Sequence, residues 1–189
     1  MRRATLQSAL PVHSYRGFSL LELVISLTIL GILCGLAVPS FSTMWLDIQR
    51  TTAVNGFIHG VFLARSTAAH SGRTVTICRS TDTQTCNHQT DDWQAGWIVF
   101  VNSDDDQPPV RDPNEQVLDV VQPWPGGHIT SNRTSYSFRP HVHRVVNGAL
   151  TFCDRRGSSQ ARAVIINSAG RPRVSSRDSD DRPLRCPSG

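Results

Sequence analysis

Residues 18–38 read FSLLELVISLTILGILCGLAV, and Glu22 is the only charged residue among these 21. A helix of this length rises about 1.5 Å per residue and spans roughly 30 Å, the thickness of the hydrocarbon core of a bilayer. The apolar part of a secretory signal peptide is shorter, at about 7 to 15 residues. A carboxylate inside a membrane costs about 2.5 to 3.5 kcal/mol, so an ordinary anchor leaves Glu22 unexplained. The segment predicts a membrane-spanning helix, and the cost of burying Glu22 indicates that this carboxylate has a function there.

The residues around this acid carry a family resemblance. Residues 16–23, RGFSLLEL, resemble the class III signal of type IV pilins and pseudopilins. The resemblance implies that a prepilin peptidase cuts between Gly17 and Phe18 and methylates Phe18, so that residues 1–17 are a leader peptide. It also implies that residues 18–38 contact inner-membrane lipid before assembly, and that Glu22 pairs with the N-terminal amine of a neighbouring pilin during assembly.

Downstream of the apolar segment the pattern is that of an amphipathic helix and then of strands. Apolar residues at spacings of three and four predict that residues 39–70 form the second half of a long helix, which ends at Ser71-Gly72. Residues 71–189 have a strand-like pattern broken by turn signals, and predict a β-rich globular domain. The candidate strands are residues 74–79, 96–101, 116–121, 128–130, 135–139, 149–153, 163–167 and 171–175. One long helix followed by strands predicts an α+β fold.

Three segments of this domain narrow the resemblance. Residues 96–101 (GWIVFV), 151–157 (TFCDRRG) and 164–171 (VIINSAGR) resemble the FimT/GspH group of the pilin superfamily. Members of this group are minor pilins, or the minor pseudopilin of type II secretion, and their N-terminal helix packs against two antiparallel sheets. The resemblance implies an inner-membrane protein with a periplasmic domain, which then joins other major and minor pilins in a pilus at the cell surface.

The five cysteines divide into one and four. Cys34 lies in the apolar segment, where a free cysteine behaves as a small hydrophobe. An even number of cysteines in an oxidising periplasm favours disulfide bonds among the other four. Three pairings are open, and proximity in the sequence favours Cys78 with Cys86 and Cys153 with Cys186.

No motif in the sequence supplies catalytic or metal chemistry. It contains no Gly-x-Ser-x-Gly, no His-Glu-x-x-His, no P-loop and no paired catalytic carboxylates. The cysteines lack the paired C-x-x-C spacing of a zinc site, and residues 104–106 (DDD) lack the pattern of a calcium loop. His141 and His143 share one face of any extended segment, and simple exposure explains them better than chelation. We therefore expect a protein that is not an enzyme and needs no metal or cofactor.

Positive charge is concentrated at the C-terminal end. Residues 133–189 contain 11 Arg and 4 Asp, a balance of +7, whereas residues 18–132 contain 5 Arg and 11 acids, a balance of −6. Residues 170–173 read GRPR, which matches the Gly-Arg-x-Arg motif through which transformation-linked FimT proteins bind DNA. The resemblance implies that Gly170, Arg171 and Arg173 bind DNA. The other Arg residues expected to widen the positive field are Arg155, Arg156, Arg162 and Arg177.

The physical chemistry of this motif agrees with the resemblance. Pro172 has a fixed φ and biases Arg171 toward an extended conformation, so Arg171 and Arg173 project to one side about 6.6 Å apart. Each guanidinium can hold phosphate oxygens as a fork without reading bases. Phe152 is the only aromatic residue after Phe138, so duplex DNA is a better fit than a single strand that needs stacking surfaces.

Three functions stay open at this point. The first is a minor pilin that binds duplex DNA and assists its uptake in natural transformation. The second is a structural minor pilin whose Arg residues serve solubility or subunit contacts, and the third is a GspH-like pseudopilin of type II secretion. The GRPR segment and the C-terminal charge favour the first.

Overall fold

The computed structural model describes residues 17–140 and 147–187, apart from the side chains of residues 36–40. The chain divides into two compact units, Met1–Ser42 and Thr43–Gly189. Among the described residues, the regular elements are a helix, α1 (Leu20–Ser71), two short 3₁₀ helices (Trp93–Ala95 and Ser158–Gln160), and eight strands: β1 (Thr74–Arg79), β2 (Trp97–Asn102), β3 (Val117–Val121), β4 (Gly127–Ser131), β5 (Ser135–Phe138), β6 (Gly148–Asp154), β7 (Arg162–Ile166) and β8 (Pro172–Ser175). His141 and His143 lie outside the described residues.

The helix α1 has defined signals at both ends. The Ser19 hydroxyl accepts a hydrogen bond from the Glu22 backbone N–H at 3.4 Å, the contact of a helix N-cap. The helix ends at Ser71, and Gly72 follows with a φ of +66°, a conformation that favours glycine after a helix. Within the parts of the chain that the structure describes, no helix combines the length and the apolar character needed to cross a membrane.

The eight strands form two antiparallel sheets of four. Sheet A has the order β3-β2-β1-β5, and sheet B has the order β4-β6-β7-β8. Every predicted strand is present, with ends within two residues of those expected. Strand-like segments separated by turn signals predicted these strands, and the predicted α+β fold is confirmed.

The main core lies where the second half of α1 packs against the sheets. Phe57 is fully buried and contacts Trp93, Trp97 and Tyr136 edge-on, with ring centroids 5.6 to 5.9 Å apart. Gly60 allows the helix to approach sheet A closely, since a Cβ at this position would lie 3.4 Å from Val99 Cγ2. With its own core, both sheets and four cysteines, the unit Thr43–Gly189 has what an independently folding domain requires.

The two faces of sheet B have different coverings. The inner face contributes residues such as Phe152, Val164 and Ile166 to the main core. The outer face carries Ala163 and Ile165, and Leu184 of the C-terminal tail packs against them. Sheet B is therefore buried on the helix side and partly covered by the tail on the other.

Two disulfide bonds are present, so the prediction of disulfides is confirmed. Cys78 is bonded to Cys86, and Cys153 of β6 is bonded to Cys186 of the tail, with Cα atoms 5.8 Å apart. These are the pairs that proximity in the sequence favoured. Cys34 is a free cysteine. The second bond ties the tail to sheet B across 33 residues of chain.

We expect the Cys153→Ser/Cys186→Ser variant of residues 43–189 to be less stable than the parent by about 3 to 4 kcal/mol, because the unfolded chain loses a long cross-link. The melting temperature should fall by about 10 °C in a thermal scan. The Cys78→Ser/Cys86→Ser variant keeps the longer cross-link, so reductant should still lower its melting temperature. Equal melting of oxidised and reduced parent protein would show that the bond contributes nothing.

Candidate nucleic-acid interface

The GRPR segment lies in the hairpin that joins β7 to β8. Its turn is closed by Asn167, whose carbonyl accepts a hydrogen bond from Gly170 N at 2.8 Å. The Asn167 side-chain Oδ1 accepts two more, from Ala169 N at 3.0 Å and from Arg171 N at 2.9 Å. Gly170 has a φ of +69°, which only glycine adopts without strain in this turn. Local hydrogen bonds therefore fix the turn after which Arg171 and strand β8 follow.

Gly170 itself is buried. The family resemblance implied that Gly170 binds DNA together with Arg171 and Arg173. Its burial and positive φ support a different task, which is to form the turn that presents the next residues.

Arg171 and Arg173 project from the outer side of the hairpin. Arg173 is paired in register with Ile165, which faces the outer side of sheet B. Arg171 is opposite Asn167, one pair further along, and so lies on the same side about 6.6 Å away. Both side chains are exposed, and among the described residues neither forms an ion pair or a side-chain hydrogen bond. Strand β8 is an edge strand, so nothing within sheet B lies beyond them.

Arg155 and Arg156 lie at the opposite end of sheet B. They follow Asp154, six residues along β6 from Gly148, and Gly148 is level with Pro172 through Ile166. Six strand residues span roughly 20 Å. This exceeds the screening length of about 10 Å at 0.1 M salt, so these two charges act weakly at the hairpin.

Arg156 belongs to a buried ion-pair network rather than to an open basic surface. Its Nη2 lies 2.7 Å from Asp154 Oδ2 and 2.7 Å from Asp47 Oδ1. The hydrogen bond with Asp154 and then that with Asp47 raise the pKa of Arg156. Arg50, only 6% exposed, joins the same two carboxylates at 2.7 Å from Asp47 and 3.3 Å from Asp154. The network joins α1 to the end of β6, and its two cations and two anions cancel.

Arg162 and Arg177 are also set apart from the hairpin tip. Arg162 is paired with Phe152 and so lies on the inner side of sheet B, where its Nη1 donates to the Ala161 carbonyl. Arg177 follows β8 and donates to the Asp181 carbonyl at 2.7 Å, with the Asp181 carboxylate 3.8 Å from its Nε. The structure thus brings together Arg171 and Arg173, and not the four other Arg residues named from the sequence.

A residue that the sequence argument did not single out lies near the hairpin. Arg133, in the turn between β4 and β5, packs its Cγ against the inner side of Gly148, which is level with Ile166 at the start of β6. It donates to the Asn147 carbonyl at 3.1 Å and to Asn147 Oδ1 at 3.5 Å, both neutral acceptors, so its positive charge is not cancelled. Gly148 is two strand spacings, or roughly 10 Å, from the start of β8. Arg133 is separated from Arg173 by 40 residues in the sequence. Only the pairing of the strands brings it to the end of sheet B that carries the hairpin.

A polar groove of about 350 Å³ lies beside the hairpin. Its lining includes Arg173 and the side chains of three amides and two hydroxyls, which are Asn132, Asn147, Asn167, Ser168 and Ser179. No group of three or more potential metal ligands occurs among the described residues. A groove of neutral donors with Arg173 in its lining suits phosphate oxygens rather than a metal ion.

The fold defines the class of this protein: a long N-terminal helix whose second half packs against two antiparallel sheets is the type IV pilin fold. The chain belongs to the GspH family, described as Type II transport protein GspH, which matches residues 53–170. The prokaryotic N-terminal methylation motif matches residues 13–38. This motif implies processing by a prepilin peptidase and assembly with other pilins. Family and fold are those of structural proteins of the pilin and pseudopilin kind.

Solved structures of a minor pilin share this fold. A crystal structure of the type IV minor pilin FimU of Pseudomonas aeruginosa has 15% sequence identity and a TM-score of 0.51, over 72% of this chain and 98% of that chain. A second crystal form of the same protein has 16% identity and a TM-score of 0.49, over 74% of this chain and 96% of that chain. Comparison with curated protein sequences found no significant match.

Proposed function

We propose that this chain is a minor type IV pilin that binds duplex DNA without sequence preference and assists DNA uptake in natural transformation. The observation that supports this most strongly is the pair of exposed guanidinium groups of Arg171 and Arg173, which have no partner among the described residues. They stand on an edge strand whose start is fixed by the Asn167 turn. Two forks at this spacing are suited to phosphates of a DNA backbone.

Arg133 is proposed as a third phosphate ligand at the same end of sheet B, with its Cγ on the inner side of the sheet. Arg155, Arg156, Arg162 and Arg177 keep at most a weak, long-range part, since they lie at the far end, on the inner face or in ion pairs. Phe152 is fully buried and offers no surface on which a base could stack. These placements favour backbone contacts to a duplex over the binding of a single strand.

The proposed site of action follows from the anchor. Gly17 and Phe18 are the points of cleavage and methylation, and residues 18–38 hold the chain in the inner membrane with the β-rich domain in the periplasm. Glu22 then guides assembly into the pilus, where the hairpin is presented at the cell surface to incoming DNA. Residues 13–38, which include Gly17, Phe18 and Glu22, match the prokaryotic N-terminal methylation motif.

The family description is also compatible with two other candidate functions. A GspH-like pseudopilin of type II secretion, or a purely structural minor pilin, would have the same fold and the same N-terminal motif. Neither needs exposed, unpaired Arg residues on β8. Duplex binding by residues 43–189 in a gel shift at low salt separates the candidates, because only the first requires it.

Arg133→Gln should weaken duplex binding by residues 43–189 several-fold, because one phosphate contact is lost. The slope of log K against log salt should become shallower by about 0.9, the value for a single phosphate. Arg155→Gln is the matched control, since it removes the same charge roughly 20 Å away and should leave both quantities unchanged. If the two variants behave alike, Arg133 is not part of the interface.

A further inference from the structure

A second groove lies at the other end of sheet B, where β6 ends and β4 begins. It has a volume of about 610 Å³ and is lined by Trp45 and Gln49 of α1, His128 of β4, Arg155 and the Cys153–Cys186 pair, among others. We call it the Trp45 groove. It lies wholly within the unit Thr43–Gly189 and takes no part in the DNA interface proposed above.

The Trp45 groove combines one exposed indole with one uncompensated charge. Trp45 is 60% exposed although it is a large apolar side chain. Arg155 is exposed and forms no ion pair or side-chain hydrogen bond among the described residues. Asp154 also lines the groove, but its carboxylate is held by Arg50 and Arg156. The groove therefore offers an indole and a guanidinium to a ligand that has both an apolar and an anionic part.

The short distance in sequence between Trp45 and the predicted membrane span points to lipid as a ligand with both an apolar and an anionic part. Trp45 is seven residues beyond Val38, the end of the predicted membrane span. Seven residues extend about 10 Å as a helix and at most about 25 Å when fully extended. Before assembly, the chain between Val38 and Trp45 thus limits Trp45 to at most about 25 Å from the end of the predicted span. Trp is enriched at membrane interfaces, and Arg is attracted to anionic lipid there.

We propose that, before the subunit enters the pilus, the Trp45 groove binds the headgroup of an anionic phospholipid of the membrane that holds the anchor. The Arg155 guanidinium contacts the phosphate, and the Trp45 indole lies among the headgroups. This inference rests on the membrane anchoring in the proposed function and not on DNA binding. It assigns Arg155 a partner different from that of Arg171 and Arg173.

Quenching of tryptophan fluorescence by acrylamide in the full chain tests this proposal. Trp93, Trp97 and Trp124 are buried, so quenching reports mainly on Trp45, and a Trp45→Phe variant verifies this. The chain is compared in nanodiscs of phosphatidylglycerol and of phosphatidylcholine. We expect the anionic discs to shield Trp45 from acrylamide. Arg155→Gln should lower the ratio of shielded to accessible Trp45 about five-fold, because one Arg contributes about that factor at an anionic membrane surface. Arg171→Gln, at the far end of sheet B, should leave shielding unchanged.

The outcomes separate this proposal from its alternatives. Equal quenching in the two lipids, or no effect of Arg155→Gln, overturns it, and so does failure of the chain to insert into nanodiscs. If Arg155→Gln instead weakens duplex binding by residues 43–189 and leaves shielding unchanged, the groove serves nucleic acid. If the Arg171 and Arg173 variants bind duplex DNA normally, the proposed DNA interface is wrong. The shielding of Trp45 by lipid would be unaffected by that result.

Discussion

Replacing Arg171 and Arg173 together by Gln is expected to weaken the binding of duplex DNA by residues 43–189 roughly 100-fold at low salt. Each guanidinium supplies charge-assisted hydrogen bonds to phosphate, worth about 1.5 kcal/mol at an exposed site, so the pair contributes about 3 kcal/mol. Both side chains are exposed and unpaired among the described residues, so the fold should be unaffected. A gel shift or anisotropy titration measures the loss, and circular dichroism confirms that the variant is folded.

The control for this variant is matched in net charge. Arg155→Gln/Arg162→Gln removes two positive charges from the far end and inner face of sheet B. It should bind duplex DNA nearly as tightly as the parent protein. Equal weakening by the two double variants would mean that diffuse basicity, rather than the hairpin, attracts DNA.

The largest stability effect is expected at Asp154. Its side chain is fully buried between Arg50 and Arg156, so Asp154→Asn leaves two guanidinium groups with only Asp47 as counter-ion. Breaking one partner of a buried ion pair costs about 3 to 5 kcal/mol. Urea or thermal unfolding of residues 43–189 measures this cost. Asp181→Asn removes a carboxylate that is 88% exposed and should change stability by less than about 0.5 kcal/mol.

The same network gives the domain a defined acid sensitivity. Burial acts to raise the pKa of Asp154, but the side-chain and backbone hydrogen bonds from Arg156, together with the charges of Arg156 and Arg50, outweigh it, and the pKa in the folded state is lowered. The hydrogen bond with Arg156 also lowers the pKa of Asp47. A carboxylate with a lowered folded-state pKa stabilises the fold above about pH 4, and this contribution is lost as pH falls below that value. The parent protein should therefore lose more stability than Asp154→Asn between pH 5 and pH 2, and equal losses would exclude a role for Asp154.

Local patterns were enough to predict the elements of this fold. Short apolar runs such as residues 163–166 (AVII) are typical of strands, and turn residues such as Asn167 and Gly170 separate them, so each strand was found within two residues of its place. The long helix followed from the spacing of Phe57, Val61 and Ala68. The hairpin is also local, which is why a four-residue motif was enough to locate Arg171 and Arg173.

Non-local pairing could not be predicted in the same way. Arg156 is next to Arg155 in the sequence, yet it meets Asp47 across 109 residues and becomes part of a structural network. Arg133 is brought to the hairpin side only by the order of β4, β6, β7 and β8 in sheet B. A count of positive charges along the chain ranks these residues equally, because it contains neither the sheet order nor the counter-ions.

The salt dependence of duplex binding shows whether Arg171 and Arg173 contact DNA phosphates. Affinity of residues 43–189 is measured over a range of salt for the parent protein and for Arg171→Gln/Arg173→Gln. A clamp of two phosphate contacts predicts that the slope of log K against log salt becomes shallower by about 1.8 in the variant. An unchanged slope, or a parent protein that does not bind duplex DNA even at low salt, would contradict the account and leave a structural subunit of a pilus or pseudopilus.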